Sequence, residues 1–424
     1  MENIINLNKK FTVDTVITVF ALIITALCGF GINIIIQKGF NNEGLGVFSY
    51  IFSVFFIINS IGTLGMNRAM VYFTAYYYNN IQYRNHLITN ALLLVTVWTL
   101  ILFGIIHLGI DVLFYKILSH DQCSYLGILS YAVPIYCLNN VAIAVLNGAR
   151  RMKIYSLLRS LRWVVLVICL IILSKKQSLE VTFYSFIICE IIILSLVTYI
   201  FVKSKYIIVN YNQKSFTEIL NYVKFVYPSQ ILVSLNENID IVILENFVSD
   251  GNLGIYSFSS KVAKSLGLIG GAIQTNFNPV ISSLFKDNSI YKLREFSIRL
   301  RSISLKIFSF LIVLAAISYY LLIEFYIKDD SFKELYKYYI LQSLAAGLYA
   351  SFSWAGAMLI MTGKIKENIY RGLLKLILII LLTFICVISL PLEYGMYVGF
   401  SLVMLSQLFI DRYFIAKYVG IKIF

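Results

Sequence analysis

The sequence predicts an all-α polytopic membrane protein of about twelve transmembrane helices in two parallel six-helix bundles, and three observations predict it. Hydrophobic residues make up 59% of the 424 and charged residues only 13%, with a mean hydropathy of +0.82. That leaves too little polar surface to cover a water-soluble globule. Twelve mostly apolar runs are separated by polar punctuation, where a roughly 30 Å hydrocarbon core asks for about 20 residues per helix. Finally, two stretches about half the chain apart repeat each other.

The first span, Asp14 to Ile36, is too long and too poorly followed by small residues for a cleaved signal peptide, and is expected to be retained. The second, Gly46 to Met66, carries Asn59 and ends just before Arg68. The third is Leu87 to Leu108. The fourth, Tyr125 to Leu146, contains Asn139, Asn140 and Pro134, which withdraws a backbone hydrogen bond and permits a bend. The fifth is Leu161 to Leu173, and the sixth, Val181 to Val202, holds a lone acid, Glu190. Residues 206–220 read as a cytoplasmic linker between a first bundle over 1–205 and a second over 221–424. The seventh span, Tyr222 to Glu245, carries Pro228, Glu237 and Asp240. The eighth, Leu253 to Val280, carries Lys261, Lys264, three glycines, Gln274, Asn276 and Asn278. The last four are Ile303 to Ile323, Tyr338 to Met361, Gly372 to Leu390 and Tyr394 to Phe414.

Basic residues set the orientation. With a cytoplasmic amino terminus the inner loops hold Arg150, Arg151, Lys153, Arg159 and Arg162, later Lys203, Lys205, Lys214 and Lys224, and near the end Lys364, Lys366 and Arg371. The outer loops hold scattered lysines (Lys38, Lys116, Lys175, Lys176, Lys328) diluted by acids such as Asp111 and Asp250. The positive-inside rule therefore places both termini in the cytoplasm. The net charge of +14 is a topology signal and not a nucleic-acid footprint. The six cysteines form no disulfide framework and the three histidines have no second ligand at a useful spacing, so no metal and no cofactor is assigned.

The repeat aligns Gly44-Leu45-Gly46-Val47-Phe48-Ser49-Tyr50 with Asn252-Leu253-Gly254-Ile255-Tyr256-Ser257-Phe258, each lying between the first and second helix of its half. Gly148 and Gly363, each followed by basic residues and an Ile-Tyr pair, match in the same way. Six helices per copy is an even number, so the copies are parallel, an arrangement suited to alternating access. The stretch Gly39-Phe40-Asn41-Asn42-Glu43-Gly44-Leu45-Gly46-Val47-Phe48-Ser49-Tyr50, continuing to Gly62-Thr63-Leu64-Gly65 and Arg68, resembles the opening signature of Wzx-type polysaccharide and O-antigen flippases. These belong to the multidrug, oligosaccharidyl-lipid and polysaccharide (MOP) exporter superfamily, whose MATE-like fold the resemblance implies. It further implies ion-driven transfer of a polyprenyl-pyrophosphate-linked oligosaccharide across a bacterial inner membrane. The implied partners are that lipid-linked oligosaccharide, H+ or Na+, membrane lipids, a polysaccharide polymerase and a chain-length regulator.

Charge inside the spans marks the candidate site, because an intramembrane cation is costly unless it faces protein or water. Counting about 1.5 Å per residue inward from Asp250 puts Asp240 at about 9 Å depth, Lys261 at about 12 Å, Glu237 at about 13 Å and Lys264 at about 16 Å. On that count Lys261 meets an acid at its own level and Lys264 is the better placed for a phosphate or pyrophosphate, with Lys261 as a second candidate ligand. Two roles stay open for the four residues: a buried ionic network, or a substrate site with Glu237 or Asp240 binding the coupling ion. Glu190 suits a structural role or a proton relay equally. Arg68 either snorkels to the cytoplasmic interface or meets the substrate pyrophosphate.

A polymerase or ligase would need a larger outer loop and a nucleophile, base and orienter constellation, which the sequence does not offer. A multidrug or cation antiporter of the same superfamily is expected to turn acidic and aromatic residues toward a cationic drug, which Lys261 and Lys264 would repel. A peptidoglycan-precursor flippase would carry two further helices, and a major-facilitator carrier a different motif after its second helix.

Overall fold

The computed structural model describes residues 2–110, 118–173, 178–207, 212–286, 290–356 and 358–421, with the backbone alone at 2–16, 19, 110, 272, 275–280, 282–284, 286 and 290. Asp111, Lys116, Lys175, Lys176 and the side chains of Asn276 and Asn278 lie outside the described residues. Among those described there is no strand.

Among the described residues, all twelve apolar runs are mainly helical. Helix α1 (Glu2–Gly62) contains the first two spans and turns between them at Asn41, whose backbone (φ 59°, ψ −171°) leaves the helical region. Helix α2 (Met66–Tyr76) prolongs the second span, and α3 (Ile81–Ile110) is the third. The fourth is split into α4 (His120–Ser130) and α5 (Ala132–Gly148), bent by 43° at Tyr131. Pro134 cannot donate to the Ser130 carbonyl four residues back, which explains the break. Helices α6 (Met152–Leu173) and α7 (Glu180–Lys203) complete the half.

Helix α8 (Gln213–Leu244) runs through Pro228 without interruption, and α9 (Asp250–Lys286) descends from it. Helix α10 (Ile290–Leu322) ends in one π turn, Ile323–Ile327. Helix α11 (Asp330–Ser351) breaks into a 3-10 turn, Ser353–Ala355, and the short α12 (Met358–Met361). Helices α13 (Ile365–Ser389) and α14 (Leu392–Val419) close the chain's second half.

Two compact units result: Met1–Phe40 with Ile51–Ser234, and Asn41–Tyr50 with Leu235–Phe424. The division falls inside α8 and not across 206–220, whose residues 213–220 are the first turns of that helix. Hydrogen bonds tie the early part of α8 to the first unit: Asn90 donates to the Asn212 carbonyl at 2.8 Å and to Ser215 Oγ at 2.7 Å, and Ser234 Oγ donates to the Phe56 carbonyl at 3.1 Å. Packing of rings Phe52, Phe55, Tyr136 and Phe186, 5.1 to 6.0 Å apart, forms a core in the first unit. Trp354, Met358, Leu359 and Ile415 form one in the second.

Other faces are left apolar and uncovered. On α3, Leu93, Val97, Leu100, Ile101, Ile105 and Leu108 are exposed at helical spacing, a stripe whose solvent is lipid. Seven helices are long and apolar enough to cross a membrane among the described residues, or nine with the bent pairs counted. Phe20–Gly62 enters that number once although it holds the Asn41 turn. Helices α8 and α9 fall outside it, and they carry Glu237, Asp240, Lys261 and Lys264.

Candidate functional site

Within the second unit, α8 and α9 run antiparallel and bring three of the four predicted residues into one hydrogen-bonded group. Lys264 Nζ lies 3.0 Å from Asp240 Oδ2, donates to the Glu237 carbonyl oxygen at 3.0 Å, and sits 5.7 Å from the Phe400 ring of α14. Tyr256 Oη donates to the same Asp240 oxygen at 3.0 Å. The Lys264 side chain keeps 26% of its surface accessible, against 9% for Asp240. Glu237 turns its side chain to an exposed position.

Lys261 goes elsewhere: its Nζ donates to Ser49 Oγ at 3.2 Å and lies 5.7 Å from the Phe48 ring. The pairing expected from depth is thereby reversed, since Lys264 and not Lys261 meets the acid. The reason is the direction of the side chains. Each Cα–Cβ bond tilts toward its own helix N-terminus, so on antiparallel helices Asp240 leans inward and Lys264 outward until they meet. Counting Cα positions alone overstated their separation.

The repeated motif explains where Lys261 is anchored. Both copies pack together inside the second unit: Leu45 and Leu253 are fully buried, and Ser257 Oγ donates to Ser49 Oγ at 2.7 Å. Gly46 and Gly254 stand at the crossing. A methyl on Gly46 would collide with the Asp250 carbonyl oxygen, and one on Gly254 with the Asn42 carbonyl oxygen. Glycine is required here by close backbone approach, not by an unusual φ.

A different ionic cluster occurs in both halves. In the first unit Arg162 Nε of α6 lies 3.0 Å from Glu190 Oε1 of α7, while Asn139 and Asn140 of α5 bond the acid (2.8 Å) and the guanidinium (2.8 Å). Tyr136 of the same helix lies 4.7 Å from the guanidinium carbon. In the second unit Lys375 Nζ of α13 lies 2.7 Å from Asp411 Oδ1 of α14 and donates to Tyr349 Oη of α11 at 3.1 Å. Arg371 Nη1 lies 3.4 Å from the same carboxylate oxygen, and its Nη2 donates to the Gly356 carbonyl at 2.8 Å, beside the break after α11. Each half thus joins its fourth, fifth and sixth helices with a cation, an acid and a tyrosine.

These pairs correct two expectations. Glu190 is not a lone carboxyl, and Arg162 and Arg371 are not loop cations, because α6 and α13 begin well before the apolar runs and carry both residues inward. Lys375 and Asp411 were missed, although each is a charge within an apolar span and so as visible as Lys264. Arg68, near the start of α2, points its guanidinium toward Ser229 Oγ of α8 at 3.4 Å, one residue past Pro228. Arg68 and Ser229 both belong to the first unit.

A family model described as "Polysaccharide biosynthesis protein" matches residues 11–285. No curated protein sequence matches the chain. Among solved structures, an inward-facing multidrug resistance MATE family transporter of the MOP superfamily is similar over 96% of this chain and 99% of its own, with 13% identity and a TM-score of 0.77. A MOP superfamily transporter from Pyrococcus furiosus, whose binding pocket is described as having reverse polarity, is similar over 97% and 96%, with 16% identity and a TM-score of 0.65. An outward-facing MATE family transporter covers 96% and 94%, at 14% identity and a TM-score of 0.70. At these identities the likeness is one of fold, while the family match extends over most of the sequence. The chain belongs to the polysaccharide biosynthesis protein family and has the fold of the MOP-superfamily exporters.

Proposed function

We propose that the protein is a flippase moving a polyprenyl-pyrophosphate-linked oligosaccharide from the inner to the outer leaflet of a bacterial cytoplasmic membrane, driven by an ion gradient through alternating access. The observation that carries this reading is the partly open Lys264–Asp240 pair. The Arg162–Glu190 and Lys375–Asp411 pairs are closed and recur in both halves, as structural pairs would. The Lys264–Asp240 pair has no such twin, since Gly29 and Ile32 stand at the matching acidic positions, with Ser53 and Phe56 at the lysine positions. A cation kept accessible at membrane depth costs about 2.5–3.5 kcal/mol on insertion scales, a cost that an anion-binding role explains. Lys264 is the phosphate ligand in this reading, and Asp240 and Glu237 are the ion-coupling acids: a cation bound by Asp240 releases Lys264 toward the pyrophosphate. Family membership supports a saccharide cargo, and a lysine at the site disfavours cationic drugs.

The test is polysaccharide export in cells together with flipping in proteoliposomes at varied pH and sodium. Lys264→Ala is expected to lower transport about tenfold or more at normal protein level, the scale of a lost charge-assisted hydrogen bond, with Lys264→Arg retaining part. In Glu237→Gln/Asp240→Asn the dependence on pH and sodium is expected to flatten. Full transport by Lys264→Ala removes the anion site, and unchanged ion dependence in the double variant removes the coupling role.

A further inference from the structure

A second gathering of polar and aromatic side chains lies in the first unit, where α2 ends and α3 and α8 begin. A shallow, largely open cleft of about 800 Å³ is lined by Tyr77, Gln213, Lys214, Thr217, Glu218 and Asn221. Glu218 is held at both oxygens: Tyr77 Oη donates to Oε1 at 2.7 Å and Tyr83 Oη to Oε2 at 2.5 Å. Its carboxylate, through that hydrogen bond, pushes the Tyr77 hydroxyl up to about 12, so the phenol remains a donor. Tyr77 in turn meets Tyr76 edge-on at 4.9 Å, and Tyr72 stacks on Tyr76 at 5.6 Å and on Tyr222 at 4.8 Å. Tyr72 and Tyr76 are exposed.

Interfacial belts also concentrate tyrosine, but the amphipathic ring there keeps its hydroxyl in the wet layer. Here two hydroxyls turn onto a carboxylate that lines a cleft, fixing it as a preorganised acceptor. A pyranose offers hydroxyl groups at its edge and C–H groups on its faces. Glu218, Gln213, Thr217 and Asn221 supply acceptors and donors for the edge, the Tyr77 ring in the lining supplies apolar surface for a face, and exposed Tyr76 packs edge-on against Tyr77. The positive-inside rule sets this end in the cytoplasm, the side from which cargo is loaded.

We infer that this cleft binds the sugar portion of the lipid-linked cargo at the cytoplasmic end, an inference that rests on the flippase reading. The site takes carbohydrate.

The experiment places the photo-crosslinker benzoylphenylalanine at Thr217, or separately at Phe400 beside Lys264, in the full-length protein within the producing cell, and weighs the adducts by mass spectrometry. Glycan-bearing adducts are expected at both positions. Glu218→Gln with Tyr76→Ala is expected to lower the Thr217 yield about fivefold or more, as loss of about one hydrogen bond does, at unchanged melting temperature and with Phe400 capture retained. Glycan capture at Phe400 with phospholipid alone, or nothing, at Thr217 overturns the cleft proposal only. No glycan at either position overturns the flippase reading with it. Unchanged Thr217 capture in the double variant also overturns the cleft's assigned residues.

Discussion

Lys264 and Arg162 are both cations within a bilayer's depth, and their surroundings separate their roles. Arg162 is enclosed: Glu190 at 3.0 Å, Asn140 at 2.8 Å and the Tyr136 face leave its side chain 9% exposed. A pair so enclosed offers nothing to a ligand, and breaking it strands a buried charge. Arg162→Ala is expected to destabilise the protein by about 3–5 kcal/mol, while Arg162→Met with Glu190→Leu recovers most of the loss. Thermal unfolding in detergent measures both; equal melting of wild type and Arg162→Ala would remove the structural role. Lys264 is expected to differ, losing transport and not fold.

At the scale of elements, the antiparallel course of α8 and α9 decides which lysine meets which acid, and the crossing of the two motif copies decides where Lys261 is tethered. The crossing depends on two glycines whose neighbours are backbone atoms and cannot yield as a flexible side chain would. Gly254→Val is expected to cost at least the roughly 1–3 kcal/mol of overpacking, seen as faster proteolysis and lower melting. Ser257→Ala, which removes one buried hydrogen bond, is expected to cost about 0.5–1.5 kcal/mol. A Gly254→Val protein as stable as wild type would show that the crossing does not need the glycine. Helix breaks follow the same local logic: Pro134 has no N–H to offer the Ser130 carbonyl at one bend, and Arg371 bonds the Gly356 carbonyl beside the other.

For the whole molecule, the asymmetry of basic residues orients the chain, and both termini are proposed to be cytoplasmic. Cysteine introduced at Lys214 is expected to react with an impermeant maleimide only from the cytoplasmic face, and cysteine at Glu334 only from the outside. The opposite labelling would invert the assignment and move the Tyr77–Glu218 cleft to the wrong side for loading. The two units each contain their own ionic cluster, which is why the repeat is informative beyond helix count: features present twice build the unit, and a feature present once is free to serve function.

The sequence by itself determined the helical membrane class, the twelve apolar runs, the repeat and the family resemblance, because lipid imposes length and hydrophobicity on each span independently of its neighbours. It also marked Lys261, Lys264, Glu237, Asp240 and Glu190, since a charge in an apolar run is visible without coordinates. Only the tertiary structure decided their partners. Arg162, the second residue of the fifth apolar run, was counted with the inner-loop cations, and Lys375 and Asp411, on successive helices, stand 36 positions apart in the chain. Which side chains meet depends on tilt, on reach along antiparallel helices and on long-range packing, none of which a one-dimensional pattern records.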